Sequence, residues 1–167
     1  RDVAVLSGLS IPFVFVAELL AIAVLFALPV SLTVPLLLSV VAVIEEVAKS
    51  LHVYAAFESG TFETTRRVAL VLGALSGLGF FVGEKFTAVA QVVGLPELAL
   101  GQAAFAPSGI GVFSAAGLLF APLALHVVTA GLTALGARRD LRWYALSFVG
   151  SVLLHLAYNL TVVSRFG

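Results

Sequence analysis

The sequence predicts an all-α fold, a polytopic membrane helix bundle with about five transmembrane helices. Of the 167 residues, 61% are hydrophobic and 11% are charged, and the mean hydropathy is +1.16. Soluble domains average about 45–50% apolar and about 25% charged residues, so an ordinary soluble fold is excluded. Nine basic residues balance nine acidic ones, which excludes a nucleic-acid-binding protein. We therefore expect one integral membrane domain over residues 1–167, surrounded by a lipid bilayer.

Five segments are long and apolar enough to cross a bilayer, which takes roughly 20 apolar residues. Because lipid offers no partner to an unpaired backbone amide, each crossing segment is expected to be a helix. The predicted spans are about 3–28, 34–57, 68–93, 113–136 and 143–163.

Turn-forming and charged residues mark the breaks between these spans. Pro29 and Pro35 bracket the first turn, and the polar stretch 58–67 forms the second break. The segment 94–112 contains glycines and prolines and is too broken to cross, so we expect an external loop or a partly re-entrant flap that gates substrate entry. The charged stretch 137–142 forms the last break.

The arginines predict an orientation. With five spans, the N-terminus and the loops 58–67 and 137–142 lie on one side of the membrane. Cytoplasmic loops are enriched in arginine and lysine, so we place the N-terminus in the cytoplasm and the C-terminus outside a cell membrane. The arginines on the two sides are Arg1, Arg66, Arg67, Arg138, Arg139 and Arg142 against Arg165 alone.

Ionisable side chains lie inside the predicted spans. A charge at the bilayer centre costs about 2.5–3.5 kcal/mol, so these groups are expected to face the bundle interior, pair, bind a metal or sit neutral. At about 1.5 Å rise per residue, the ionisable side chains of the second to fifth spans lie within one layer of the membrane about 9 Å thick, which favours a common site. The residues are Glu18, Glu45, Glu46, Lys49, Glu84, Lys85, His126 and His155. Glu18 on the first span fits equally a site residue and a structural pair.

Helical spacing predicts which of these side chains share a face. Gly73, Gly77, Phe80 and Glu84 follow one face of the third span, where glycines allow a neighbouring helix to approach closely. Lys85 is adjacent to Glu84, and adjacent helical residues do not face each other, so no direct pair is expected.

Two other spacings concern the second and fifth spans. Glu45 and Lys49 are an i, i+4 pair in which the lysine neutralises one carboxylate. We expect Lys49 to orient or compensate charge rather than to react. His155 and Asn159 form another i, i+4 pair on one helix face.

Three glutamates and two histidines are suited to activating water. In zinc hydrolases, two histidines and a glutamate can hold the metal while a separate glutamate takes a proton from the bound water. Here Glu84, His126 and His155 are the candidate metal ligands, and Glu45 or Glu46 is the candidate general base.

A metal-free route uses the same residues. A carboxylate in a low-dielectric cavity can deprotonate water directly, while histidine and Asn159 stabilise the oxyanion. Either route hydrolyses an amide inside the membrane. A serine–histidine–aspartate triad is excluded because the only aspartates are Asp2 and Asp140, at the edges of the spans.

The motifs resemble the PrsW family of intramembrane proteases. EEVAK at 45–49 matches the family's EExxK motif, and GFFVGE at 79–84 is similar to its next motif, a phenylalanine four residues before a glutamate. His126 and His155 fall on the next two spans, where the family has histidines. HLAYN at 155–159 also resembles the HxxxN pattern of the related CAAX-protease and bacteriocin-processing proteins. The resemblance covers roughly residues 34–163.

The resemblance implies proteolysis of transmembrane protein substrates, such as an anti-sigma factor. It implies catalysis by Glu45 and Glu46, with the site completed by Glu84, His126 and His155. Lys85 departs from the family pattern, which often has asparagine there, and this leaves substrate contacts open. The motifs also leave metal use open, because relatives in the prenyl-processing branch look metal-independent. We favour Zn²⁺.

Two other function classes remain open on the sequence. Carboxylates and histidines at mid-membrane depth also mark proton- or ion-coupled transporters and channels. Such transporters often have internal repeats and paired broken helices, which are not evident here. A non-catalytic scaffold subunit is the third possibility. The sequence predicts no oligomeric state.

Overall fold

The computed structural model describes residues 2–25, 29–94 and 112–166, and these ranges form helices without any strand. In chain order the helices are Asp2–Leu9 (α1), Ile11–Leu25 (α2), Val30–Glu58 (α3), Arg66–Gly94 (α4), Val112–Ala137 (α5) and Leu141–Phe166 (α6). α4 packs most extensively against α5, and α6 packs against both α5 and α3. Of the predicted external segment 94–112, residues 95–111 lie outside the described residues.

Large apolar side chains cover the outside of the bundle. Phe13, Val24 and Phe86 are 79%, 75% and 76% exposed, which suits contact with lipid rather than water. Within the described ranges, four helical stretches are long and apolar enough to cross a membrane: Val5–Leu25, Arg66–Phe86, Phe120–Ala137 and Leu141–Ser164. The chain is therefore a helical membrane bundle, which confirms the predicted fold class.

α3 is the remaining predicted span and carries the charged centre of the bundle. It is 29 residues long and holds Glu45, Glu46 and Lys49 near its middle, and it is not among the four stretches above. Glu46 and Lys49 are fully buried, so the side of α3 that faces the bundle interior is charged. That α3 is a fifth crossing stays a prediction.

Two predicted helix boundaries differ from the structure. The first span is divided at Ser10, because Pro12 has no N–H to donate to the Gly8 carbonyl and the Ser10 hydroxyl donates to the Ser7 carbonyl at 2.6 Å. The predicted turn up to Pro35 is instead helical, since α3 begins at Val30 and contains that proline. Prolines are tolerated in membrane helices where neighbouring groups satisfy the freed carbonyl.

Glycines bring α4 and α5 close together at the depth of the charged residues. A Cβ added to Gly73 would lie 2.6 Å from the Cα of Gly131, and one added to Gly77 would overlap the His126 carbonyl oxygen. Phe80, farther along the same face, is fully buried. The predicted α4 face is confirmed, and it fixes the backbone of His126 against α4.

Candidate active site

The buried end of the site is an ion pair on α3. Lys49 Nζ lies 2.6 Å from Glu46 Oε1, and both side chains are 0% exposed. The predicted Glu45–Lys49 pair is wrong. Lys49 could reach either glutamate, because i, i+3 and i, i+4 partners share a helix face. It turns towards Glu46 because it also reaches α5, where its Nζ donates to Thr129 Oγ1 at 3.3 Å. Glu46 therefore holds a compensated charge in the interior.

His155 on α6 lies between the two consecutive glutamates of α3. Its Nδ1 is 2.8 Å from Glu46 Oε1, and its Nε2 is 3.5 Å from Glu45 Oε2. Because a carboxylate accepts, the Nδ1–H donates to Glu46, and this assigns the proton to Nδ1. Nε2 then presents a lone pair on the Glu45 side. A carboxylate that holds one ring nitrogen in this way orients histidines in metal and hydrolytic sites.

His126 on α5 connects the buried ion pair to α4. Its Nδ1 is 3.0 Å from Lys49 Nζ, and its Nε2 is 3.1 Å from Glu84 Oε2. An ammonium group can only donate, so Nδ1 accepts from Lys49 and Nε2–H donates to Glu84. The ring of His126 lies 5.6 Å from that of His155, edge to face.

Glu84 lies at the half-exposed end of the network of polar contacts that includes His126 and Lys49. Its Oε1 is 2.7 Å from Lys85 Nζ, and the two side chains are 35% and 33% exposed. The prediction that these neighbours do not pair is wrong, because their long side chains bend towards each other beyond the helix surface although their Cβ atoms diverge. The polar contacts run in the order Lys85, Glu84, His126, Lys49, Glu46, His155 and Glu45.

The donor atoms fit a metal ion. Glu45, His126 and His155 each offer one ligand atom, and these atoms all lie within 4.8 Å of one another. Glu45 Oε2 and Glu46 Oε2 are buried and have no hydrogen-bond partner in the described part of the chain. Imidazole nitrogen and carboxylate oxygen are ligands that zinc takes in hydrolases. Glu84 lies outside this group, and of its three members it contacts His126.

The remaining predicted residues lie around the Glu/His cluster, which consists of Glu45, Glu46, Glu84, His126 and His155. Asn159 is half-buried one turn beyond His155, and its side chain forms no hydrogen bond to another described residue. Glu18 on α2 is half-buried and interacts electrostatically with Glu84. Sequence reasoning missed Thr129, which is fully buried, accepts from Lys49 and receives a hydrogen bond from Ser151 on its carbonyl at 2.9 Å. Its position three residues after His126 was the available signal.

Comparisons with known proteins identify the family. Neither curated proteins nor solved structures give a significant match. The model of the PrsW family of intramembrane metalloproteases matches residues 3–167, nearly the whole chain. The chain therefore belongs to the PrsW family of intramembrane metalloproteases, and the buried Glu/His cluster lies in a membrane protease.

Proposed function

We propose that this protease cleaves transmembrane protein substrates with a water molecule activated by Glu45 at the Glu/His cluster. One observation carries the proposal. Glu45 Oε2 is buried without a hydrogen-bond partner among the described residues, and it lies 3.5 Å from His155 Nε2. Glu45 Oε2 and His155 Nε2 thus lie close together and available to a water molecule, next to the ion pair of Glu46 and Lys49.

Glu45 and Glu46 have different roles in this proposal. Glu46 is occupied by Lys49 at 2.6 Å and His155 at 2.8 Å, so it positions these side chains. Glu45 takes a proton from water while the water oxygen bonds to the scissile carbonyl carbon. When the C–N bond breaks, Glu45 returns the proton to the leaving amine. The products are a new carboxylate and a new amine.

We propose Glu84, His126 and His155 as ligands of Zn²⁺. When bound, zinc polarises the scissile carbonyl and lowers the pKa of bound water. Both ring nitrogens of His126 have partners, so it must release Lys49 or Glu84 to bind a metal. A second arrangement replaces Glu84 with Glu45, since ligand atoms of Glu45, His126 and His155 lie within 4.8 Å of one another.

Lys49 and Asn159 support the reaction without taking part in proton transfer. Lys49 keeps Glu46 ionised and fixes His126 at 3.0 Å. The amide of Asn159 donates to the oxyanion of the tetrahedral intermediate, for which a half-buried donor one turn from His155 is suitably placed.

The proposed substrate is a transmembrane protein such as an anti-sigma factor. We place the enzyme in the cell membrane with its N-terminus in the cytoplasm and its C-terminus outside. The clustering of Arg66, Arg138 and Arg139 around one cavity supports a common side for the loops 58–67 and 137–142.

The proposal is tested by hydrolysis in H₂¹⁸O. Proteoliposomes of the wild type are incubated with a set of synthetic single-span peptides, and mass spectrometry detects ¹⁸O in newly formed C-termini. We expect cleavage by the wild type and by Glu58→Gln, a matched change outside the cluster, and its loss in Glu45→Gln. Cleavage by folded Glu45→Gln at the wild-type rate would remove Glu45 from the reaction.

The two ligand arrangements are separated by the metal content of purified variants. We expect about one zinc per chain in the wild type, in Glu45→Gln and in the exposed control Glu63→Gln, and loss of zinc in Glu84→Gln. Loss of zinc in Glu45→Gln with retention in Glu84→Gln would instead assign Glu45 as the ligand.

A further inference from the structure

A separate cavity of about 520 Å³ lies at the arginine-bearing end of the bundle. Its lining comes from the start of α4, the last turns of α5 and the first turns of α6, and no residue of the Glu/His cluster takes part. Three of the lining residues are arginines, Arg66, Arg138 and Arg139. The cavity is therefore a positively charged recess independent of the active site.

The positive charge of this cavity is uncompensated within the described chain. None of the ion pairs between described residues involves Arg66, Arg138 or Arg139. Arg138 donates from Nη1 to the Thr64 carbonyl at 3.3 Å, while its Nε is buried without a hydrogen-bond partner there. Three guanidinium groups thus line one recess without an acidic partner among the described ion pairs.

The rest of the cavity wall is apolar apart from Ser147, and it opens to the outside of the bundle. Trp143 and Leu146 are 47% and 57% exposed, and the guanidinium carbon of Arg139 lies 4.7 Å from the centre of the Trp143 ring. The far end of the wall is open because Gly150 has no side chain. A Cβ added at Gly150 would lie 3.7 Å from the nearest side chain, that of Leu132. The groove from Trp143 to Gly150 is about 10 Å long.

We infer that this cavity binds an anionic phospholipid, with the phosphate on the arginines and the start of an acyl chain along the groove. Guanidinium groups match phosphate oxygens bidentately. Basic pockets between membrane helices bind anionic headgroups, and tryptophan is enriched at headgroup depth. A charged end joined to an apolar groove that opens towards lipid matches the two parts of such a molecule. The inference does not rest on the proposed catalytic roles.

The test is native mass spectrometry of the full chain with phosphatidylglycerol and with phosphatidylcholine of the same acyl chains. We expect tighter binding of phosphatidylglycerol by the wild type. Arg66→Gln combined with Arg139→Gln should weaken it about 25-fold, at about fivefold per arginine. The control combines Arg67→Gln with Arg142→Gln, which removes the same charge from residues that do not line the cavity, and should leave binding unchanged. Equal loss in both double variants would overturn the site.

A second comparison separates the lipid from free phosphate. Gly150→Leu fills the groove and should remove the contact of roughly two methylenes, which weakens phosphatidylglycerol binding at least about tenfold. Binding of inorganic phosphate should stay unchanged. Leu146→Gln gives the same test from an exposed position if the leucine variant does not fold. Unchanged phosphatidylglycerol binding in both groove variants, with equally tight binding of inorganic phosphate, would overturn the lipid assignment.

Discussion

Removing the buried lysine should cost far more stability than removing the half-exposed one. In Lys49→Met, the carboxyl group of Glu46 loses an ammonium partner 2.6 Å away, in a place where both side chains are 0% exposed. An uncompensated buried charge costs about 3–5 kcal/mol. The contacts of Lys49 with His126 and Thr129 are lost as well. Methionine has similar length, so the effect reports charge rather than a cavity.

Lys85→Met is the matched control. Lys85 and Glu84 are 33% and 35% exposed, and exposed pairs contribute about 0–1 kcal/mol. We would measure the free energy of unfolding by SDS titration in mixed micelles. The difference between the two variants should reach about 3 kcal/mol, two orders of magnitude in the unfolding constant. Adding Glu46→Gln to Lys49→Met should restore most of the loss. Equal losses for Lys49→Met and Lys85→Met would refute the reasoning.

Three further predictions concern packing, one hydrogen bond and the metal. Gly77→Ala should destabilise the protein by about 1–3 kcal/mol and lower activity, because the added Cβ would overlap the His126 carbonyl. In the same unfolding assay Gly131→Ala should be tolerated, because a Cβ added there meets nothing within 4 Å. Tyr144→Phe should cost about 0.5–1.5 kcal/mol through loss of the 2.9 Å hydrogen bond to Ser50, and a neutral result would mean that this bond contributes nothing. Chelation should stop cleavage and lower the melting temperature, with zinc restoring both, and full activity in chelator would exclude a metal requirement.

Helix identity and helix faces were predictable because helical geometry is fixed. The span predicted at 68–93 is the helix Arg66–Gly94, and the face from Gly73 to Glu84 packs against α5 as its glycines indicate. The division of the first helix at Ser10 was not predicted. It depends on Pro12 together with a side-chain hydrogen bond of Ser10, and both act within a segment that is otherwise uniformly apolar.

Partner choice inside the cluster was not predictable from spacing. Lys49 can reach Glu45 or Glu46 from one helix face, and the approach of α5 with His126 and Thr129 decides between them. Lys85 pairs with its neighbour because flexible side chains are free to bend where they are half-exposed. Depth along a helix follows from residue count, whereas the pairing of side chains follows from how helices are rotated against each other.

The most direct test of the account compares two histidines of the same chain. His155 contacts both Glu45 and Glu46, whereas His52 lies outside the cluster, 3.3 Å from Ser76. Turnover of a single-span peptide in proteoliposomes should fall about 100-fold or more in folded His155→Gln and stay near the wild-type value in His52→Gln. Wild-type turnover by His155→Gln would contradict the claim that this cluster performs the hydrolysis.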